Sequence, residues 1–306
     1  MERTLDLPRL FAQLRDGARA STIAELSDLP RAAIQQFRDL WLTLPVAGRR
    51  RIVNDMVELS ELNIALNFRR VLLVALDDPD EQVRERAIQG LWEEEDSVVL
   101  RRFLARLRTE RVPSVRAALA QALGRFAELD VLGRLRQEES DLLRAALFAL
   151  LDPREPVDVR RRALESAAVY SDHAVTTAIE DAYWSGDPAL RVSALYAMGR
   201  SLDRRWIPLL LDELRSEDPE RRYEAATACG HLGAEEALDD LITLTADPDR
   251  DVQAAAIAAL GRIGGTVATN VLRRLARSSD PVVQEAALEA LAEATFAADP
   301  LRPTPW

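Results

Sequence analysis

The chain has 306 residues, of which 48% are hydrophobic and 30% charged. That composition is typical of water-soluble globular proteins, and the length is enough for an extended hydrophobic core. With 51 acidic against 40 basic residues, the formal net charge is −11. This balance argues against a general nucleic-acid-binding surface, because affinity for nucleic acid depends largely on basic side chains that neutralise phosphates.

Every basic residue in the chain is Arg, and there is no Lys. A P-loop, a pyridoxal Schiff base and a Ser-Lys dyad each need a Lys side chain. The sequence therefore excludes those three classes of enzyme.

The chain begins with MERTLDLPRL, which carries Glu2 and Asp6 and lacks the apolar segment of a signal peptide. Apolar runs such as 71–76 and 145–151 are far shorter than the roughly 20 residues that cross a bilayer. We therefore expect a cytoplasmic protein without a membrane partner.

Residues 1–65 carry helical patterns at 7–14, 30–44 and 45–62, but not the repeat that follows them. The terminal units of a repeat protein need one atypical, polar outer face. We therefore predict that residues 1–65 form an N-terminal helical cap, with Phe37 and Trp41 packed against the first repeat.

From residue 66 onward, an Asp-Pro pair, an apolar helical pattern and a Gly recur, most clearly over 218–261. Asp is a favoured N-cap and Pro suits the first helical position, so Asp-Pro predicts the start of a helix. The Gly supplies a left-handed or closely packed position near the helix end. Each such helix follows another apolar stretch of similar length, so the predicted unit is a helical hairpin.

A polar residue in the first turn of each second helix gives the register of the repeat, and we call it the anchor. The anchors are Arg84, Arg116, Arg160, Arg191, Arg222, Gln253 and Gln284. By subtraction they are 32, 44 and then four times 31 residues apart. The third and seventh residues after every anchor are apolar and lie on one helix face. The sequence therefore predicts an apolar seam shared by successive hairpins.

A period in the low thirties with two helices per unit is typical of an α-solenoid. The pattern DPxxxVRxxAxxALGxxG, nearly complete at 78–91 and 247–264, resembles the HEAT repeat, and more narrowly the short HEAT-like type of phycobilisome lyases. The resemblance covers about residues 66–296. It implies an all-α fold, an α-solenoid of about seven HEAT-like hairpins behind the N-terminal helical cap. It defines no single function, because this repeat serves scaffolds, adaptors, lyases, hydroxylases and nucleic-acid enzymes.

The 44-residue step holds the main irregularity of the repeat. We interpret residues 128–136 as an inserted connection before a helix at 140–151, with an extra helix at 131–135 as the alternative. The last ten residues, 297–306, contain three prolines and cannot continue a helix. We predict a C-terminal tail there, either frayed or laid over the last helix with Trp306 as its anchor.

The anchor Arg falls on the same helix side as the core Ala and Leu, so its charge needs a carboxylate partner. In HEAT proteins such residues form an Asp and Arg ladder between units, and the Asp of a neighbouring Asp-Pro turn is the natural partner. The residues that match the ladder are Asp78, Asp187, Asp218, Arg84, Arg191 and Arg222. Gln253 and Gln284 depart from it.

Most catalytic motifs are missing, since the chain has no HExxH, CxxC, GxSxG or GxGxxG. The iron-dependent deoxyhypusine hydroxylases, which share this repeat, carry several His-Glu pairs, whereas neither His173 nor His231 is followed by Glu. The acidic run 247–251 begins like a calcium loop but lacks the Gly and Glu that the loop requires. Cys229 occupies a core register. We therefore expect no enzyme activity, no metal and no other cofactor.

The remaining candidate site is the inner surface. In HEAT solenoids the second helices line the concave side, and the helical wheel puts the first, fifth and ninth residues after each anchor opposite the core. Tyr and Arg, which are favoured at interface hot spots, lie in the middle of this face. We predict as binding residues Gln121, Arg125, Glu165, Tyr196, Arg200, Tyr223, Thr227, His231 and Arg262. A solvated helix face with incidental Tyr is the alternative interpretation.

We therefore expect a non-catalytic scaffold or adaptor that binds a protein or peptide along its concave face, with no nucleic-acid partner and no expectation about its oligomeric state. A protein resembling a bilin or phycobiliprotein lyase, or a chromophore chaperone, is the alternative. Only the resemblance implies that alternative.

Overall fold

The computed structural model describes residues 6–15, 17 and 19–298. Every regular element in this part of the chain is helical. The α-helices are α1 (Leu7–Arg15), α2 (Ala20–Ala24), α3 (Ile34–Trp41), α4 (Val46–Leu62), α5 (Arg69–Ala75), α6 (Glu81–Gln89), α7 (Ser97–Thr109), α8 (Pro113–Val131), α9 (Gln137–Ala149), α10 (Val157–Ala167), α11 (His173–Trp184), α12 (Pro188–Arg200), α13 (Ile207–Glu213), α14 (Pro219–His231), α15 (Leu238–Leu244), α16 (Arg250–Ile263), α17 (Gly265–Leu275) and α18 (Pro281–Ala298). Short 3₁₀-helices, Arg31–Ala33, Arg204–Trp206 and Glu235–Ala237, lead into α3, α13 and α15.

The chain divides into two compact units, Met1–Ser166 and Ala167–Trp306. In the first unit α5 packs on α6 and α7 on α8, and in the second α11 packs on α12, α13 on α14, α15 on α16 and α17 on α18. Within each unit the second helix of one hairpin also packs on the second helix of the next. The predicted fold class, an all-α solenoid of HEAT-like hairpins, is confirmed.

The predicted apolar seam is the core of the fold. The third residue after each of the seven anchors is completely buried, from Ala87 to Ala287. The seventh residue is buried after six of the anchors, and only Leu291 on α18 is half-buried. Leu288 on the same helix is 53% exposed, since no described helix follows α18. The periodicity of the sequence thus locates the core correctly.

Glycines near the ends of the second helices allow neighbouring helices to approach closely. Gly199 and Gly230 lie inside α12 and α14 rather than beyond their ends. A Cβ at Gly199 would lie 2.7 Å from the Cα of Ala228, and one at Gly230 would lie 2.9 Å from the Cα of Ala259. Of the two roles predicted for this Gly, the closely packed one is therefore confirmed.

The left-handed turns after the second helices lie three residues further along. Gly233 and Gly264 have φ values of +56° and +67°, a region that glycine enters without steric cost. Leu202 occupies the same position after α12 with φ +54° and is 66% exposed. This turn therefore carries backbone strain that the following two avoid.

The N-terminal helical patterns are confirmed at α1 and α4, and the segment 30–44 forms a 3₁₀-helix followed by α3. The short helix α2 was not predicted. Trp41 on α3 stacks with Phe37 and donates a hydrogen bond of 2.7 Å from Nε1 to Asp78 at the turn of the first repeat. The predicted division of the chain at residues 65/66 stays a prediction.

The prediction of a separate connection at 128–136, and its alternative of an extra helix at 131–135, are both wrong. Helix α8 runs without a break to Val131, and only residues 132–136 form the turn before α9. Leu129 is 2% exposed and lies one turn after the buried Phe126, so the apolar stripe of α8 continues and the helix continues with it. At the C-terminus, Ala298 still belongs to α18. The rest of the predicted tail, 299–306 with Trp306, lies outside the described residues.

Buried arginines link successive hairpins, as the ladder prediction requires. Arg84 on α6 donates to Glu110 over 2.8 Å from Nε and 3.0 Å from Nη2. Arg222 on α14 donates to Asp247 over 2.8 Å and 2.9 Å. Each carboxylate lies in the turn of the following hairpin, so each pair ties one repeat to the next.

All three predicted ladder carboxylates have partners other than the predicted arginines. Asp187 and Asp218 cap their own helices, accepting first-turn amides at 2.9 Å and 3.0 Å. Arg191 instead forms an ion pair with Glu213 at 2.7 Å. The Asp78 carboxylate accepts a hydrogen bond of 2.8 Å from Arg49 on α4.

The Asp-Pro rule for helix starts is wrong at three turns. After Asp152-Pro153, α10 begins only at Val157. Asp80 caps α6 and Asp249 caps α16, each two residues after the Asp that precedes the Pro. The earlier Asp is the ladder acceptor in both turns, so the buried arginine takes its carboxylate. The anchor Gln253 donates to the Thr245 carbonyl of its own hairpin at 2.7 Å, and the ladder lacks that rung, as predicted.

Glu110 is the ladder acid whose ionisation the fold perturbs most clearly. Burial on its own raises the pKa of the Glu110 carboxyl. Hydrogen bonds from Arg84, Arg106 and the amides of Val112 and Arg111 outweigh burial and lower the pKa from its ordinary 4.5 to about 2. The ionised side chain therefore stabilises the first unit.

Replacing Gly199 by Ala tests the close approach of the second helices. The new methyl group would push α12 and α14 apart, so we expect the free energy of unfolding to fall by about 1–3 kcal/mol, the usual cost of overpacking. Gly48→Ala is the matched control, because a Cβ there would find only the Pro45 Cδ, at 4.0 Å. It should stabilise α4 by about 0.5–1 kcal/mol. Urea unfolding followed by circular dichroism measures both, and stabilisation by both substitutions would contradict the close approach.

Glu110→Gln tests the ladder through pH. Because the folded pKa is depressed, the stabilisation is complete above pH 4.5 and is lost as the pH falls toward 2. The variant should melt at a lower temperature near neutral pH, since Arg84 stays buried without its carboxylate. Its melting temperature should also fall less than that of the wild type between about pH 5 and about pH 2.5. The exposed Glu138→Gln is the control, and a wild-type pH slope in Glu110→Gln would reject the assignment.

Candidate functional site

Six of the nine predicted binding residues lie on consecutive second helices of the second unit, and we call them the second-unit face. They are Tyr196 and Arg200 on α12, Tyr223, Thr227 and His231 on α14, and Arg262 on α16. Helix α14 packs directly on both α12 and α16. The 31-residue period therefore brings equivalent positions onto neighbouring helices.

Three members of this face, Arg200, His231 and Arg262, occupy the ninth position after their anchors, and we call them the basic row. His231 and Arg262 each lie over a glycine of the preceding second helix. The His231 Nδ1 would lie 3.4 Å from a Cβ at Gly199, and the Arg262 Cδ would lie 3.6 Å from a Cβ at Gly230. The glycines therefore make room for the row as well as for the helix backbones.

The environment of His231 keeps its imidazole neutral near neutral pH. Burial lowers its pKa from the ordinary 6.5, and the positive charges of Arg262 and Arg200 lower it further, with Glu293 opposing them. Arg262 Nε lies 3.5 Å from Glu293 on α18. The row can therefore gain a positive charge at His231 when an anion approaches it.

Two tyrosines lie on the same helices as members of the row. Tyr196 is 37% exposed and lies one turn before Arg200, while Tyr223 is 38% exposed and lies two turns before His231. Both are at positions opposite the core seam. Partly exposed Tyr next to Arg combines an apolar ring for burial with polar groups for orientation, which is the chemistry of interface hot spots.

The other three predicted residues belong to the first unit, where local carboxylates or arginines occupy two of them. Arg125 on α8 forms ion pairs with Glu95 and, at 3.2 Å, with Glu128. Glu165 on α10 pairs with Arg162 at 2.6 Å. The third residue, Gln121, is exposed on α8.

A pocket in the second unit was not predicted from the sequence. It has a volume of about 270 Å³ and lies between the start of α11, around His173, and the turn that holds Asp203, Arg205 and Trp206. Asp203 pairs with Arg205 at 2.6 Å, and the Trp206 Nε1 donates to Ser201 at 3.2 Å. The polar groups of this turn thus bond to one another, and the volume lies below the roughly 300–1,000 Å³ of typical ligand sites. The positive φ of Leu202 in this turn could not be predicted from the sequence periodicity.

The described residues do not fit a metal centre. They include no group of three or more His, Cys, Asp or Glu side chains that could hold a metal ion. His231 lies among arginines, as its lowered pKa records. Within the described ranges, no helix has the length and apolar character needed to cross a membrane.

The sequence and fold place this chain in a family. The family of HEAT repeats matches residues 70–151 and 207–292, which together make up more than half of the chain. The chain belongs to the HEAT repeat family.

Two curated relatives share a shorter stretch. Deoxyhypusine hydroxylase of Bos taurus is 34% identical over 100 residues, which cover 32% of this chain and 33% of that protein. Deoxyhypusine hydroxylase of Homo sapiens is 31% identical over 100 residues, with the same coverage of 32% and 33%. The match thus spans about a third of the length of the curated relatives.

Among solved structures, the complex of CpcE and CpcF of phycocyanin lyase from Nostoc sp. PCC7120 superposes with a TM-score of 0.53. The identity is 20%, and the match covers 75% of this chain and 88% of that chain. This similarity shows the solenoid fold.

Cys229 lies on the buried side of α14, opposite the second-unit face. Burial, followed by the nearby charges of Asp240 and Glu236, raises the pKa of its thiol to about 12. Since the thiolate is the reactive form, we expect no reaction of the native protein with Ellman's reagent at about pH 8. Full reaction should appear as urea unfolds α14, and stoichiometric reaction of the native protein would contradict this placement.

Proposed function

We propose that this protein is a non-catalytic scaffold or adaptor that binds a protein or peptide segment along the second-unit face. One observation carries the proposal. In a chain with a net charge of −11, the second helices that carry a row of two arginines and a histidine also carry two part-exposed tyrosines.

The spacing of the helices favours an extended ligand. Packed helices lie about 8–10 Å apart, so a segment that crosses α12, α14 and α16 meets one basic side chain of the row on each helix. Few interface residues carry most of the binding energy, and Tyr and Arg are over-represented among them. The tyrosines are the expected anchors, and the basic row is expected to set the charge of the partner.

An enzymatic role is not part of the proposal. The identity to deoxyhypusine hydroxylase covers 32% of this chain, and His173 and His231 are the only two histidines. The lyase-like alternative is supported only by the shared fold. Addition of a bilin to the protein distinguishes it, because a lyase or chromophore chaperone should shift the visible absorbance of the pigment and the proposed scaffold should not.

Selection of binding peptides tests the proposal directly. A random peptide library would be displayed on phage, selected on the whole wild-type chain, and the recovered peptides measured as synthetic ligands. We expect Tyr196→Ala/Tyr223→Ala to weaken them at least tenfold, since truncation of a hot-spot residue costs about 2 kcal/mol or more.

Trp184→Ala is the control for this selection. Trp184 is 67% exposed and belongs to the same unit, but it lies on the first helix α11. Its truncation should change the affinities less than twofold. Peptides that depend on Trp184 but not on the two tyrosines would place binding elsewhere and reject the proposed face.

A further inference from the structure

We propose that the second-unit face recognises an acidic segment in the polyproline II conformation, with a carboxylate at every third residue. This inference rests on the proposed function and names the chemistry of the partner. It depends on the charge of the basic row, on the spacing of its members and on the tyrosines next to it.

His231 and Arg262 differ from the ladder arginines in what surrounds their side chains. The ladder arginines are consumed by buried acids, as with Arg222, whose side chain is 13% exposed against Asp247 at 5%. Among the described residues, Arg262 pairs only with Glu293, at 3.5 Å and with 35% and 49% of the two side chains exposed. His231 makes no side-chain hydrogen bond or ion pair among the described residues. An added carboxylate would complement these groups without breaking a buried pair.

The spacing of the row selects the conformation of the ligand. Arg200, His231 and Arg262 lie on helices that pack directly on one another, so their steps follow the helix packing distance of about 8–10 Å. A polyproline II helix has three residues per turn and rises about 3.1 Å per residue, so every third side chain returns to one face after about 9 Å. In a β-strand, by contrast, residues i and i+3 point to opposite sides.

The tyrosines fit the same ligand. Proline-rich segments in this conformation bind grooves lined by aromatic side chains, because the preformed helix loses little conformational entropy. Tyr196 and Tyr223 offer partly exposed rings on the same helices as Arg200 and His231. Residues between the carboxylates would therefore pack on the ring of Tyr196, one turn from Arg200, while the carboxylates meet the row.

His231 couples binding to pH. The charged groups that face it are Arg200 on α12, Arg262 on α16 and Glu293 on α18. Helix α13 also packs on α14, and its Glu213 accepts a hydrogen bond from Tyr183 at 2.8 Å. A bound carboxylate adds a negative charge, so it raises the pKa of the imidazole in the complex above that of the free protein. Protonation then favours the complex, and binding strengthens as the pH falls.

The test uses the whole chain and a fluorescent dodecapeptide of four Glu-Pro-Pro repeats, with binding followed by anisotropy at low salt. Two matched peptides control for charge and for spacing: four Gln-Pro-Pro repeats, and a peptide of identical composition with its four Glu together. We expect the regular acidic peptide to bind at least tenfold more tightly than either. Equal binding of the clustered peptide would overturn the periodic recognition.

Variants of the protein locate the site. Arg200→Gln/Arg262→Gln should weaken the regular peptide at least tenfold. Arg274→Gln/Arg277→Gln removes the same charge from exposed positions at the end of α17 and should change affinity less than twofold. His231→Gln should abolish a threefold or greater gain in affinity between about pH 7.5 and about pH 5.5. Equal effects of the two double variants, or tighter binding of a twelve-nucleotide oligothymidine, would overturn the proposal.

The two proposals can fail separately. If peptides selected from the library lose binding in Tyr196→Ala/Tyr223→Ala but carry no acidic period, and the Glu-Pro-Pro peptide does not bind, the face is a docking surface for another chemistry. If the selected peptides ignore the tyrosines and the Glu-Pro-Pro peptide does not bind, both proposals are wrong.

Discussion

The close approach of consecutive second helices is the constraint on which the rest of the fold depends. A glycine eight residues after the anchor faces a small residue of the next second helix, as Gly199 faces Ala228. Interiors are packed so densely that an added methyl group must be accommodated by movement. The same contact brings the apolar seams together. It also lets His231, on the same helix as Ala228, lie over Gly199. Core packing and the arrangement of the basic row therefore have one cause.

Charge is organised around that contact in a second layer. A buried arginine needs an acid, and for Arg84 and Arg222 the acid, Glu110 or Asp247, stands two residues before the cap of the next second helix. Where the next turn has Ser278 at this position, the anchor is Gln253, which finds a carbonyl within its own hairpin. A neutral anchor beside a neutral turn avoids an unpaired buried charge. Where Ser216 stands at this position, the charged Arg191 pairs instead with Glu213 on α13.

The sequence predicts the positions that repeat and fails where an individual contact decides. The interval of 31 residues was enough to find the buried third position after every anchor, because burial follows helix periodicity. It could not show that α8 continues past Phe126, since one further apolar residue, Leu129, decides that. Nor could it distinguish the two uses of aspartate, as cap at Asp187 and as ladder acceptor at Asp78. Both precede a Pro in sequence, and only the position of the arginine separates them.

The candidate site shows the same limit and also its use. Periodicity placed Arg125 and Arg262 at equivalent positions, yet Arg125 pairs with Glu95 and Glu128, whereas in the part of the chain that the structure describes Arg262 pairs only with the more distant Glu293. Local acids thus decide which copy of a repeated position remains available to a partner. Once a copy is available, the helix packing distance fixes its spacing to the next. A solenoid built this way imposes its own period on an extended ligand, and mutations that widen the helix contact should alter recognition together with stability.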